Sequence, residues 1–339
     1  MTILRAYRDL APRSEAHAWR SPSNIALVKY WGKKGHQLPA NPSLSMTLKE
    51  CFTETRVNFS PAEELRVQVR LDGDLNEKFA AKILKFLRHL SRDLPWLEKL
   101  SFEVETRNTF PHGTGIASSA SGMSALALCL ASYLEPTQNL EFFQRASFLA
   151  RLASGSACRS LYGGFVSWGD VSDEFASPVE VHRDLSQLHD SIVVVSSAEK
   201  KVSSTAGHEQ MGEHFFREAR YHQARGNYSR LKSALLQGDI AEVGRITESE
   251  ALSLHAMMLT APESFTLLRP QSLMVMELVR EFRRETKLPL YFTLDAGPNL
   301  HLIYPDEGLS KIRTFIEHEL TPMAEKIIHD QRGEGPAPC

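Results

Sequence analysis

Asn108-Thr-Phe-Pro-His-Gly-Thr-Gly-Ile-Ala-Ser-Ser-Ala-Ser-Gly-Met123 places two glycines and three serines immediately ahead of an apolar segment that runs to Leu134. Gly113 and Gly115 let the backbone approach a ligand closely, and Ser118, Ser119 and Ser121 set hydroxyls beside the free N–H groups of a helix start. Phosphate is the natural guest of such a loop. The same residues also suit a helix N-terminus capped without any ligand. The spacing matches neither a Walker A motif, since no Gly-Lys-Ser/Thr follows, nor the dinucleotide-binding glycine fingerprint.

Three further clusters carry chemistry-bearing side chains. Lys29, Tyr30, Trp31 and Lys33 follow the short apolar run Ile25 to Val28. Two cations and a phenol so close together either clamp a phosphorylated ligand or form a solvated strand end with snorkelling lysines. Ser154-Gly-Ser-Ala-Cys-Arg-Ser160 is a second small-residue turn. Its Arg159 carries a planar fork suited to a carboxylate, with Ser154 and Ser156 as additional donors, or else it satisfies carbonyls at a helix end. Cys158 reads as a packed residue, because no local base accompanies it. Leu290 to Leu294 delivers Asp295 onto an Ala-Gly-Pro-Asn turn, where a carboxylate acts either as a turn former or as a base held on a tight loop. His255, set among apolar positions, reads as structural.

Strands and helices must position these clusters. Phe52 to Phe59, Leu65 to Leu71 and Ser101 to Arg107 alternate as half-exposed strands, and Asp190 to Ser197 is a continuous apolar run of the kind buried on both faces. Leu75, Phe79, Ile83, Phe86, Leu87 and Leu90 recur at helical spacing, with a Lys/Arg face read as solubilising. Further helices are expected from Met123, over Leu140 to Ala153, Glu209 to Gln237, Asp239 to Leu254 and Arg269 to Glu285. Arg332 to Cys339 is expected to be a flexible tail.

The chain has 339 residues, which suits two domains, and the change of texture near Pro178 puts their boundary just before the Asp190 strand. Lys plus Arg total 39 against 41 Asp plus Glu, so a net charge of −2 gives no reason to expect nucleic acid or an anionic membrane as partner. The four cysteines, Cys51, Cys129, Cys158 and Cys339, have no metal-ligand spacing and fit a reducing compartment. No apolar run approaches the roughly 20 residues of a membrane span, so a cytoplasmic protein is expected.

Taken together, Asn24-Ile-Ala-Leu-Val-Lys-Tyr-Trp-Gly-Lys33, Phe110 to Gly122, Ser154 to Ser160 and Leu294-Asp-Ala-Gly-Pro-Asn299 closely resemble the mevalonate diphosphate decarboxylases of the GHMP kinase superfamily. The resemblance implies an α+β fold: a ribosomal-protein-S5-like domain over residues 1–187, a ferredoxin-like domain over 188–330, the tail 331–339, and an active-site cleft between the domains. It implies a homodimer that uses ATP and Mg²⁺ to phosphorylate the 3-hydroxyl of mevalonate 5-diphosphate, then releases phosphate and CO₂ to give isopentenyl diphosphate. By the same resemblance Asp295, Lys29 and Arg159 are catalytic, and Tyr30, Lys33, Ser154, Ser156, Ser203 and Ser204 bind substrate. Gly113, Gly115, Ser118, Ser119 and Ser121 cradle ATP, with Ser119 the Mg²⁺-linked hydroxyl. One departure is local: the family loop Pro-Thr-Ala-Ala-Gly-Leu is here Pro111-His-Gly-Thr-Gly-Ile116, which leaves the part played by His112 open. Lys200 and Lys201 are further candidates from the polar loop after the Asp190 strand. A phosphomevalonate decarboxylase, a mevalonate 3-kinase and a non-catalytic metabolite binder are the rival readings of the same fold.

Overall fold

The computed structural model describes residues 2–339 apart from 112–115, 117, 199–201 and 203, and the side chains of Thr2, Ser204 and Thr205 are likewise outside the description. The sequence-predicted residues Gly113, Gly115 and Ser203, with His112, Lys200 and Lys201, lie outside the described residues.

The N-terminal half is built on β1 (Glu15–Val28), a two-residue ribbon of β2 (Lys33–Lys34) and β3 (Leu38–Pro39), β4 (Ser43–Pro61), β5 (Arg66–Leu71), β6 (Asp74–Leu75), β7 (Leu100–Asn108), β8 (Phe165–Trp168) and β9 (Ser177–Val179). The long β4 organises this sheet. Its C-terminal part pairs with β7 from Thr53 opposite Asn108, and its N-terminal part pairs with β8 from Ser43 opposite Trp168. β1 runs antiparallel along β4, with register shifts between Pro22 and Asn24 and between Ala26 and Val28. A bulge kinks a strand and re-aims the residues that leave it, and this second shift lies just before Lys29.

Helices α1 (Glu77–Leu90), α2 (Ser118–Leu134) and α3 (Leu140–Ala153) cover one face of the sheet. Asn76 caps α1 by accepting the Phe79 N–H, and Asn139 caps α3 in the same way through Phe142. α2 is buried on every side from Ala120 to Leu134, which its small residues permit by allowing close approach to β1, β4 and α3. One apolar core lies here, around Val57, Phe102, Leu126 and Phe142.

The second half begins at β10 (Leu188–Val194), passes through α4 (Ser204–Gln210), α5 (Arg217–Gln237), α6 (Ile240–Leu259) and α7 (Pro270–Thr286), and continues with β11 (Tyr291–Thr293), β12 (Leu300–Pro305), α8 (Leu309–Phe315) and β13 (Lys326–Gln331). Its four strands, in the order β11-β12-β10-β13 and antiparallel throughout, have the ferredoxin-like arrangement. The inner face of this sheet joins the first half through a shared apolar cluster in which Ile25, Leu27, Leu44 and Met46 meet Ile192, Val194 and Ile303. A cleft between the halves is lined by Lys33, Lys34 and Ala40 from the first and by His208, Met211 and Tyr221 from the second.

Three expectations are corrected. The strand expected over Phe52 to Phe59 is part of a 19-residue strand, because the same segment serves two different partners along its length. The helix expected over Glu209 to Gln237 is two helices. His214 interrupts it, accepting the Phe216 N–H on Nδ1 at 3.1 Å and placing Nε2 3.0 Å from the Met257 carbonyl. The tail is not free. Arg332 bridges to Leu48, and β14 (Ala337–Pro338) pairs with β1 opposite Trp19 and Arg20, so the C-terminus returns to the first sheet. Backbone pairing supplies the order that a Gly/Pro-rich composition does not signal.

Candidate active site

Lys29 leaves the kinked end of β1 with each of its polar groups held. Its N–H donates to Glu250 Oε2 at 2.9 Å, its carbonyl accepts from Asn41 Nδ2 at 3.0 Å, and its ammonium donates to the Ala26 carbonyl at 2.6 Å and to Asp295 Oδ1 at 2.8 Å. The lysine side chain is 2% exposed and that of Asp295 is 27% exposed, so the carboxylate forms the open end of the pair.

The turn that carries Asp295 is fixed from several sides. Gly297 N–H donates to the Asp295 carbonyl at 2.7 Å, and His255 Nε2 lies 3.2 Å from the same oxygen. Asn299 Oδ1 accepts from Val195 and Ser196, and Ser272 donates to the Pro298 carbonyl. The two roles left open for Asp295 are thereby separated, because backbone and neighbouring side chains build the turn while the carboxylate engages Lys29. Burial pushes the Asp295 carboxyl up, but the Lys29 charge and hydrogen bond, with His301 and Arg159, bring it below its ordinary value. Burial pulls Lys29 down, opposed first by Asp295 and then by Glu250.

Arg159 sits in a 3-10 segment, Gly155–Leu161, and is buried. Its Nε donates to Ser45 Oγ at 3.1 Å and its Nη1 to Ser43 Oγ at 2.8 Å, so two hydroxyls of β4 aim the guanidinium, with no helix-end carbonyl involved. It lies within electrostatic reach of Asp295 and Tyr30. The Tyr30 ring meets Trp168 edge-on with centroids 4.7 Å apart, and its buried hydroxyl has no hydrogen-bond partner among the described residues. A Cβ at Gly155 would come 2.7 Å from that hydroxyl, so Tyr30 rests directly against the segment carrying Ser154 and Ser156, both half-buried. A side chain at position 155 would push the Tyr30 ring out of this place.

A second part of the cleft wall is built by the start of α2. Ser118 is half-buried and Ser119 exposed there, and no acidic residue occupies the first turn. The Lys82 ammonium of α1 donates to Ser119 Oγ. Lys82 is exposed overall, and the partial burial of its ammonium beside Ser119, with the nearby Lys33 charge, pushes it down to about 8. A helix N-terminus with two lysines beside it suits a polyphosphate. Lys82 therefore corrects the purely solubilising reading of the α1 basic face. Ser121 is a second correction: it is fully buried, its hydroxyl lies 2.6 Å from Thr53 Oγ1, and it faces the sheet. Two residues beyond the exposed Ser119, it is turned about 200° round the helix, onto the inner side.

From the second half, α4 closes on the same rim. His208 accepts the Gly32 N–H on Nδ1 at 3.0 Å and its ring lies 4.4 Å from Tyr30 and 4.6 Å from Trp31. Burial, with the Lys33 and Arg159 charges, pushes it down to about 3, so it is neutral at physiological pH. Ser204 opens this helix. Sequence reasoning missed His208, Lys82, Ser43, Ser45 and Glu250. Each sits on a regular element without a motif, and only packing brings it to the cleft. Among the described residues, no group of three His, Cys, Asp or Glu side chains could hold a metal, and no helix is long and apolar enough to cross a membrane.

The arrangement joins an ionised carboxylate, a buried ammonium, an aimed guanidinium and a cationic helix start on one cleft. Known proteins share both chain and fold. The family model for the diphosphomevalonate decarboxylase-like N-terminal domain matches residues 21–178, and that for the mevalonate 5-diphosphate decarboxylase C-terminal domain matches residues 191–336. Diphosphomevalonate decarboxylase from Debaryomyces hansenii is 32% identical, over 86% of this chain and 80% of that protein, and the Homo sapiens enzyme is 32% identical over 89% and 80%. Among solved structures, MDDEF in complex with MVAPP, AMPPCP and magnesium superimposes with a TM-score of 0.86 at 32% identity, covering 96% of this chain and 99% of that one. Mevalonate diphosphate decarboxylase from Staphylococcus aureus gives 0.85 at 33% identity, covering 96% and 98%. The chain is a member of the diphosphomevalonate decarboxylase family of the GHMP kinase superfamily.

Proposed function

We propose that this protein converts mevalonate 5-diphosphate and ATP to isopentenyl diphosphate, ADP, phosphate and CO₂, with Lys29, Asp295 and Arg159 performing the chemistry. The observation that carries this assignment of residues is the 2.8 Å Lys29–Asp295 pair opening onto the cleft. Asp295, ionised and one-quarter exposed, accepts the proton of the substrate 3-hydroxyl as that oxygen attacks the γ-phosphorus of ATP, so that the O–H bond breaks, a P–O bond forms and ADP departs. Lys29 holds Asp295 ionised beforehand and faces the negative charge that gathers on the transferred phosphoryl group. Arg159, aimed by Ser43 and Ser45, holds the substrate carboxylate so that its C–C bond aligns with the departing 3-phosphate. Cleavage of that bond releases CO₂, and its electron pair forms the alkene as phosphate leaves, with no further protein base required.

Tyr30, Lys33, Ser154 and Ser156 line the position for the substrate diphosphate, which the orphaned Tyr30 hydroxyl and the Lys33 charge suit. Ser203 and Ser204 are assigned to the same group by the family pattern. Ser118, Ser119 and Lys82 face the ATP phosphates. Among the described residues no cage of carboxylates forms, and the hydroxyl of Ser119 at the helix start would meet a Mg²⁺ carried on the nucleotide, which would neutralise the phosphate oxygens. A cytoplasmic homodimer completes the proposal; light scattering at micromolar concentration tests the dimer.

The test of the reaction is ATP-dependent CO₂ release from carboxyl-labelled mevalonate, mevalonate 5-phosphate and mevalonate 5-diphosphate in parallel. The greatest release is expected with the diphosphate. Release only from the monophosphate would overturn the substrate assignment.

A further inference from the structure

Behind Lys29 lies a charge arrangement that the proposed chemistry leaves unused. Glu250 of α6 is fully buried and is met by Arg220 of α5, whose Nη1 donates to Oε1 at 3.1 Å and whose Nη2 donates to Oε2. Asn227 Nδ2 donates to Oε1 at 2.7 Å, and the Lys29 N–H donates to Oε2. The result is a line of alternating charge, Arg220, Glu250, Lys29, Asp295, in which the side chains are 1%, 0%, 2% and 27% exposed. Only its last member opens onto the cleft. One helix steadies both ends of the catalytic pair, because His255, five residues beyond Glu250 on α6, bonds to the Asp295 carbonyl.

Two considerations separate this from a structural ion pair. A buried pair of this kind is commonly no more stabilising than apolar residues of the same volume, so stability is a weak reason for placing it here. A neutral acceptor would serve the Lys29 N–H equally well. What the carboxylate adds is a fixed negative charge close to a buried ammonium. The charged groups around Lys29 are Asp295 from the β11–β12 turn, Glu250 from α6, Arg159 from the 3-10 segment and Asp190 from β10, with Arg220 behind Glu250. Asp190 is already committed to His301 at 2.6 Å, and His301 also faces Asp295. Once Asp295 has taken the substrate proton and become neutral, Glu250 and Asp190 are the carboxylates left near the ammonium, and of the two Glu250 is the one hydrogen-bonded to Lys29, through its N–H, while Asp190 is held by His301.

We propose that Glu250, held by Arg220 and Asn227, is a positioning residue that keeps Lys29 protonated and in place while Asp295 is neutral, so that the ammonium is available to the phosphoryl group in transfer. This rests on the proton-accepting role given to Asp295.

The experiment uses the full chain with three variants: Glu250→Gln, which keeps an acceptor for the Lys29 N–H, the double variant Glu250→Gln/Arg220→Gln, which removes both buried charges together, and Asp295→Asn. Thermal melting, KM for each substrate and the kcat–pH profile are measured for all of them. The expected result is that both Glu250 variants bind substrates with KM within about threefold of the parent, lose about ten- to a hundredfold in kcat, and shift the alkaline limb of the kcat–pH profile down by about one unit, a tenfold change in proton affinity. A double variant that melts like the parent and keeps the parental kcat and alkaline limb overturns the proposal. So does a kcat loss in Glu250→Gln that the double variant restores together with stability, since that is the signature of a structural pair. Two variants that both fail to fold also overturn it, because the pair would then be required by the fold. Asp295→Asn distinguishes the two readings: if it retains turnover, the role of Asp295 fails first, and if it is inactive while the double variant is unchanged, only the role of Glu250 fails.

Discussion

Replacing Asp295 with Asn removes one charge and one proton acceptor while leaving the side-chain volume almost unchanged. Across the 2.8 Å contact to Lys29 the attraction lost is of order 6 kcal/mol at an effective dielectric near 20. In the variant the desolvation of Lys29 is no longer opposed, but the amide oxygen still accepts a hydrogen bond and position 295 is partly open to solvent, so the net loss of folding stability is at the lower end of about 3–5 kcal/mol. Catalysis loses more. A positioned base contributes about 10²–10⁴ in rate, and kcat is expected to fall by at least that factor. Binding should survive, because Tyr30, Lys33, Ser119 and Lys82 are untouched. Calorimetric titration with mevalonate 5-diphosphate and with a non-hydrolysable ATP analogue should give dissociation constants within a few-fold of the parent, alongside ADP and CO₂ assays showing the loss of turnover. A kcat within tenfold of the parent, in a variant that is folded at the assay temperature, would refute the assignment of Asp295.

Arg159→Lys keeps the charge and loses the fork aimed by Ser43 and Ser45, so ADP should form in excess of CO₂; equal yields would show that the fork does not orient the carboxylate. Lys82→Met should raise KM for ATP about tenfold, allowing for the exposure of the side chain, and leave KM for mevalonate 5-diphosphate unchanged. Because Lys82 titrates at about 8, KM for ATP in the parent should climb above that pH as the ammonium is lost, and the variant should be flat there. His208 has a folded value depressed to about 3, so below about pH 6.5 the unfolded chain takes up a proton that the folded chain does not, and stability falls with pH by at most about 1.4 kcal/mol per unit. His208→Gln keeps an acceptor for Gly32, and its melting temperature should fall less than the parent's between pH 6.5 and 4.5; parallel slopes would show that His208 titrates normally.

Much of this site was legible because chemistry and motif coincided. Lys29, Arg159 and Asp295 each lie in short segments of special composition, and the four segments occur in one order along the chain. Their individual environments were not legible. The choice between a turn-forming and a base-like Asp295 depends on Lys29, 266 residues away in the chain. Glu250 and Arg220 sit among the ordinary charged residues of two long helices and are marked only by burial. Ser121 was misplaced because composition ranks all serines of a loop alike, whereas helix geometry turns one of them toward Thr53. The tail was read from its glycines and prolines, yet β1 offers an unpaired edge that orders it. Regular elements follow from local periodicity, while sites and edges are settled by partners far away in the chain.

The most direct measurement is a single-turnover quench experiment with excess protein, mevalonate 5-diphosphate and ATP, following ADP and CO₂ on one time course. The account predicts one CO₂ for each ADP, with ADP appearing no later than CO₂. ADP without CO₂, or CO₂ without ADP, would contradict it.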